Sequence, residues 1–137
     1  MGLDVHNALF GNFHLNWTGT GTSWFCYWCW KHELPYPFIG WVNADKFGDQ
    51  CILGPDNPHS RLARAWCRAL EEKQPEIAKL GGELIANHRM IDLYDYLYPN
   101  GQLGKGLEVQ EWNRRALAAW YAILRNGTEH GDILEYW

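Results

Sequence analysis

The densest chemistry in this sequence lies between Asn16 and His32, a run holding four of the nine tryptophans and two of the four cysteines. Within it Thr18, Gly19, Thr20, Gly21, Thr22 and Ser23 interleave hydroxyl side chains with glycine. Glycine lets a backbone approach a ligand closely, and hydroxyls add donors. A helix starting directly afterwards adds positive potential that favours an anion. Trp17 and Trp24 bracket the turn, and a tryptophan face can hold a flat ring. A ring joined to an anion is the outline of a nucleotide-like small molecule. Asn43, Asp45, Asp49 and Gln50 form a second polar set, whose amides and carboxylates suit a purine edge or a ribose diol. Arg61, near an expected helix start, is placed to neutralise a phosphate. Each feature also has a structural reading, because turns need small residues and polar loops and arginines solvate surfaces.

Cys26-x-x-Cys29-x-x-His32 is the sharpest metal-like spacing. On a helix, at about 100° per residue, the three fall within roughly a third of the circumference. A fourth ligand would have to come from His14, Cys51 or His59. Structural zinc sites usually take paired ligands from turns, and a second Cys-x-x-Cys is missing. Inert buried thiols are therefore expected, with no metal and no other cofactor. The glycine turn is neither a Walker loop nor a dinucleotide fingerprint. The six histidines are scattered outside any recognised catalytic motif, so no enzyme is expected.

These residues have to be positioned by a chain of 137 residues, which fits one domain. The hydrophobic share of 47% can fill a core, while aromatics at 15% imply an aromatic interior or a recognition surface. Net charge is −4, and the basic residues fall mainly after Arg61, interleaved with acids. Long nucleic acid needs clustered Lys and Arg, so it is not expected as a partner, and the acids are too scattered to mimic DNA. No run is long enough for a membrane span, and the N-terminal residues lack a secretory core, so a cytoplasmic protein with reduced thiols is expected. A homo-oligomer is compatible with this composition.

Leu3 to Phe10 reads as a strand, followed by a Gly11-Asn12 turn and alternation at Phe13, Leu15 and Trp17. Thr22 or Ser23 caps a helix from about Trp24 to Lys31, expected to be largely buried because aromatics surround it. Phe38 to Val42 reads as a strand, Asn43 to Gln50 as a polar loop, and Cys51 to Leu53 as a short apolar stretch. Pro58 opens a helix to Lys73, and Pro75 restarts a helical pattern that continues, weakened by Gly81-Gly82, to Leu97. The last helix is expected over Glu108 to Arg125, capped by Asn126-Gly127, with a final strand over Ile133 to Trp137. Strands early and helices late imply an α+β fold. Its small antiparallel sheet comes from the N-terminal half, with room for the C-terminal strand, and packs against two or three helices.

The order of these motifs resembles a group of small uncharacterised proteins encoded by phages and prophages. The matching pieces are Met1 to Val5, Thr18 to Trp24, Asn43 to Gln50, Gly54-Pro55, and Trp112 to Gly127. The chain departs from that pattern in its Cys26, Cys29 and His32 cluster and in lacking a basic residue just after Trp24. The resemblance implies a phage accessory protein acting against host defence in the host cytoplasm. One form of it is a sponge that sequesters a nucleotide-like signal; the alternative is an inhibitor that binds a host protein through exposed aromatics.

The missing second ligand pair makes one expectation directly measurable. Elemental analysis of protein purified without a metal-affinity tag should find far less than one zinc per chain, and about one zinc per chain would overturn the assignment of inert thiols.

Overall fold

The computed structural model describes residues 3–15, 27–35, 37, 49–99 and 109–136. Two strands, β1 (Leu3–Asn7) and β2 (Gly11–Leu15), form the N-terminal hairpin in a register running from Leu3↔Leu15 to Asn7↔Gly11. The turn is therefore Ala8 to Phe10, starting three residues earlier than the Gly11-Asn12 turn expected from sequence. Asn7 decides this: its Oδ1 accepts from the Phe10 amide at 2.8 Å. Gly11 then supplies the positive φ of 79° that starts β2.

Residues 27–31 are helical (α1). The expected strand from Phe38 to Val42 lies outside the described residues. β3 (Asp49–Leu53) precedes α2 (Pro58–Lys73) and α3 (Pro75–Ala86). A 3₁₀ turn (His88–Met90) and the short α4 (Leu93–Leu97) interrupt what the sequence suggested was one continuing helical pattern. Local caps explain the interruption. Asn87 donates from Nδ2 to the Glu83 carbonyl at 3.0 Å, and Asp92 Oδ1 accepts from the Asp95 amide at 3.2 Å. The chain ends in α5 (Val109–His130) and β4 (Asp132–Tyr136).

The sheet order is β2-β1-β4-β3, and every neighbouring pair is antiparallel. The fold is α+β, with the C-terminal strand inside the sheet and helices packed against one face. That inner face presents Val5, Phe13, Cys51, Leu53 and Leu134, all buried. On the other face Ile52 and Ile133, directly opposite in register, stay about half exposed at 49% and 51%.

α5 runs through the middle. The sequence showed one apolar stripe, but every residue from Ala116 to Leu124 is buried, because α2, α3 and α4 and the sheet surround the helix. Phe13 meets Trp120 edge-on at 5.2 Å. The helix also outlasts its expected cap at Asn126-Gly127, continuing to His130. Gly127 serves a different purpose: a Cβ there would lie 2.6 Å from Leu53 Cδ1, so glycine permits close approach of α5 to β3. The helix stops instead at Gly131, whose φ is 85° and whose amide donates to the Gly127 carbonyl at 2.9 Å.

Gly81 in α3 plays a similar part, since a Cβ would overlap the Tyr121 ring and come within 2.9 Å of the Ala118 carbonyl oxygen. Its neighbour Gly82 faces open space, with nothing within 4 Å of an added Cβ. Opposite effects follow. Gly81→Ala should destabilise the protein by about 1–3 kcal/mol through overpacking. Gly82→Ala should stabilise it by up to about 1 kcal/mol through helix propensity and reduced unfolded-state entropy. Urea unfolding of both variants measures this; the same sign for both would remove the close-packing account.

Candidate functional site

Trp17, Thr18, Gly19, Thr20, Gly21, Thr22, Ser23, Trp24, Asn43 and Asp45 lie outside the described residues, as does Cys26. The structure does describe the continuation of that run, α1, and its termination. Glu33 adopts a left-handed φ of 56°; its amide donates to the Trp30 carbonyl at 3.2 Å and that of Leu34 to the Cys29 carbonyl at 2.8 Å. This pair of bonds is a Schellman cap, completed by buried Leu34 and Cys29 at the two positions whose side chains meet in that motif. It ends the helix just before Pro35.

α1 is amphipathic rather than wholly buried. Trp28 and Cys29 face the core, while Tyr27 is 58% and Trp30 76% exposed. The expectation of general burial fails because the helix is backed on one side only. There Trp66 of α2 donates from Nε1 to Cys29 Sγ at 3.3 Å, and Lys73 Nζ donates to the Glu33 carbonyl at 2.7 Å. Trp28 and His32 stack with ring centroids 4.0 Å apart. Desolvation, then the neighbouring Lys31 charge, lowers the His32 pKa below its ordinary value. Tyr27 and Trp30, three residues apart on the outer face, have centroids 6.0 Å apart and planes tilted by 38°.

The second expected polar set is reorganised. Asp49 and Gln50 are not loop residues but the first two of β3, with Cα partners Tyr136 and Glu135. β4 offers a ladder along the whole of β3, a pairing no local pattern could reveal. Asp49 is the end of β3 distal to the Gly54–Asn57 turn; Arg61, exposed, lies in the first turns of α2 beyond it.

The thiols are held as hydrophobic groups. Burial, followed by the Asp132 charge, pushes Cys51 up to about 12. Burial, followed by the Glu71 charge, does the same to Cys67, also up to about 12. Neither is a thiolate near neutral pH, so neither is a ready nucleophile. Among the described residues no group of three or more His, Cys, Asp or Glu is arranged to hold a metal ion. Asp4 and His6 share the outer face of β1, where Asn12 Nδ2 donates to Asp4 Oδ1 at 3.3 Å and Glu135 stands opposite His6 in register.

Sequence reasoning missed one concave surface. An open groove of about 590 Å³ lies between the hairpin turn and the 3₁₀–α4 segment, lined by Phe10, Asn12, Arg89, Met90, Ile91 and Tyr94, among others. Met90 is 86% exposed and Tyr94 38%. The only signal in the sequence is an apolar pair, Met90-Ile91, falling where the α3 stripe has already been ended by Asn87.

Among the described residues no helix is long and apolar enough to cross a membrane. No family model matches the chain, and neither the curated proteins nor the solved structures contain a match to it.

Proposed function

We propose that this chain is a non-enzymatic binding protein that sequesters a small nucleotide-like ligand, a phage accessory protein acting against host signalling, as the resemblance implies. The observation that carries the reading is the contrast among aromatics. Trp28, Trp66, Trp112 and Trp120 are buried, whereas Trp30 stands 76% exposed beside an exposed Tyr27. Both sit on α1, which follows the Thr18–Ser23 stretch in the sequence. A base stacked on Trp30 would extend the contacts expected from Trp24 and that turn.

The same pair supports a second reading, an inhibitor of a host protein. Rings 6.0 Å apart and tilted by 38° leave no slot between them for a base. A ring can stack only on an outer face, whereas a protein surface would cover both, and Trp and Tyr are the residues that dominate such contacts.

Native mass spectrometry of protein from phage-challenged cells, with calorimetric titration against cyclic and linear nucleotides, tests the first reading. Trp30→Ala should weaken nucleotide binding by about 1–3 kcal/mol, the range for lost base–aromatic stacking, while leaving the melting temperature nearly unchanged. Trp120→Ala, at a site 1% exposed, should instead cost about 3–5 kcal/mol of stability. Nucleotides recovered after incubation should be chemically intact. Repeated turnover of any of them would replace the sponge with a hydrolase, and a retained host protein without a small molecule would favour the second reading.

A further inference from the structure

We propose that the groove between the hairpin turn and the 3₁₀–α4 segment docks a peptide segment of a partner protein, one presenting an apolar or aromatic side chain next to a single carboxylate. This surface shares no lining residue with α1, and the proposal does not depend on the reading above.

The composition of the groove is that of an interface centre. Phe10, Met90, Ile91 and Tyr94 provide the apolar surface, and Arg89 is the one cation among the described residues that line it. Aromatic residues, Met and Arg are enriched where proteins meet, and a flexible thioether adapts to different side chains. Met90, 86% exposed, packs little against the described residues.

The walls are fixed. Asn7 holds the Phe10 amide, the Met90 amide donates to the Asn87 carbonyl at 2.9 Å, and His88 Nδ1 bonds the Ile85 carbonyl at 2.8 Å. Beneath them Leu93 and Leu97 are buried against the core. A preformed surface loses little entropy when it is occupied.

Charge selects the occupant. Among the described residues the Arg89 guanidinium is engaged in no ion pair or hydrogen bond, so it is open to a carboxylate. Asp92, a carboxylate on the same rim, accepts from the Asp95 amide through Oδ1. A di- or triphosphate at Arg89 would be repelled by Asp92, whereas a peptide supplies one carboxylate for Arg89 and backbone N–H groups for Asp92 and Asn12. The openness of the groove also suits a segment that stays attached to a larger partner rather than a ligand needing enclosure.

The test uses the full chain, isotope-labelled, and blocked tripeptides of the form acetyl-X-Leu-Glu-amide with X as Phe, Tyr or Trp, followed by amide chemical shifts. Shifts should concentrate at Phe10, Met90, Ile91 and Tyr94. Replacing the peptide Glu by Gln should weaken binding about threefold, as expected for a solvent-exposed ion pair. Arg89→Gln should abolish that preference, and Met90→Asp should remove binding without lowering the melting temperature. Adenosine diphosphate should leave the groove signals unmoved, and neither variant should alter any nucleotide titration sensed at Tyr27 and Trp30. No shifts at millimolar peptide, equal affinity for the Glu and Gln peptides, or groove shifts with adenosine diphosphate would each overturn the proposal. A failure at α1 alone would bear only on the nucleotide reading.

Discussion

β4 holds the sheet together, because among the described strands the N-terminal hairpin and β3 meet only across it. A strand arriving from the C-terminus must enter antiparallel to both neighbours, and the corner at Gly131 makes that reversal immediately after α5. Gly127 allows the same helix end to lie against Leu53. Asp132 then ties the corner to the hairpin turn, both carboxylate oxygens accepting from the Ala8 amide at 3.0 and 3.1 Å. Burial raises the Asp132 pKa despite bonds from the Ala8 and Ile133 amides. The sign is that of a group whose contribution favours the fold below its unfolded pKa and is lost as pH rises through the folded one. Its value to the structure is therefore geometric: it fixes where the hairpin turn sits, and so where one wall of the groove stands.

The other constraint is α5, whose middle is enclosed and whose rim is tied to its neighbours by a few polar side chains. The Tyr121 hydroxyl donates to Glu71 Oε1 at 2.7 Å and accepts from Arg125 Nη1 at 3.2 Å, while Arg125 Nε reaches Glu129 at 3.2 Å. Burial and the bond to Glu71 push Tyr121 up to about 12, so it remains a donor at neutral pH. Arg115 closes the opposite end, donating to the Tyr96 carbonyl at 2.7 Å and lying 4.8 Å from that ring. These ties orient α2 and α4, the two elements that back α1 and the groove respectively.

Much of this architecture was legible because it is local. Proline at the first position of α2 and α3, the apolar spacing of α2 and α5, and the C-terminal strand all follow from short-range patterns. What escaped was set by distant partners. Asp49 and Gln50 read as loop because their ladder is supplied by distant residues, Tyr136 and Glu135, near the other end of the sequence. Gly127 read as a cap because the side chain that needs its missing Cβ, Leu53, comes from another element. The outward face of α1 read as core because Trp30 has the composition of a core residue and only tertiary contact can decide its side. Of the candidate site, the stretch from Trp17 to Trp24 lies outside the described residues, while residues 27–31 of the helix expected after it are helical.

A tryptophan left in solvent has little value if its support is loose, because ordering it then offsets what stacking contributes. Trp30 is not loosely supported. The helix beneath it is closed by a Schellman cap, inserted through Trp28 and Cys29, and joined to α2 by the Trp66–Cys29 and Lys73–Glu33 bonds. The 3₁₀–α4 segment presents Met90 under a similar discipline of caps and buried leucines. Two apolar surfaces thus stand on rigid supports, and their polar surroundings differ. Lys31 is exposed directly after Trp30, whereas Asp92 shares the groove rim with Arg89. On the readings proposed above, the first surroundings would suit an anion stacked on a ring and the second a single carboxylate. Electrostatics, more than apolar area, separates what each surface can hold.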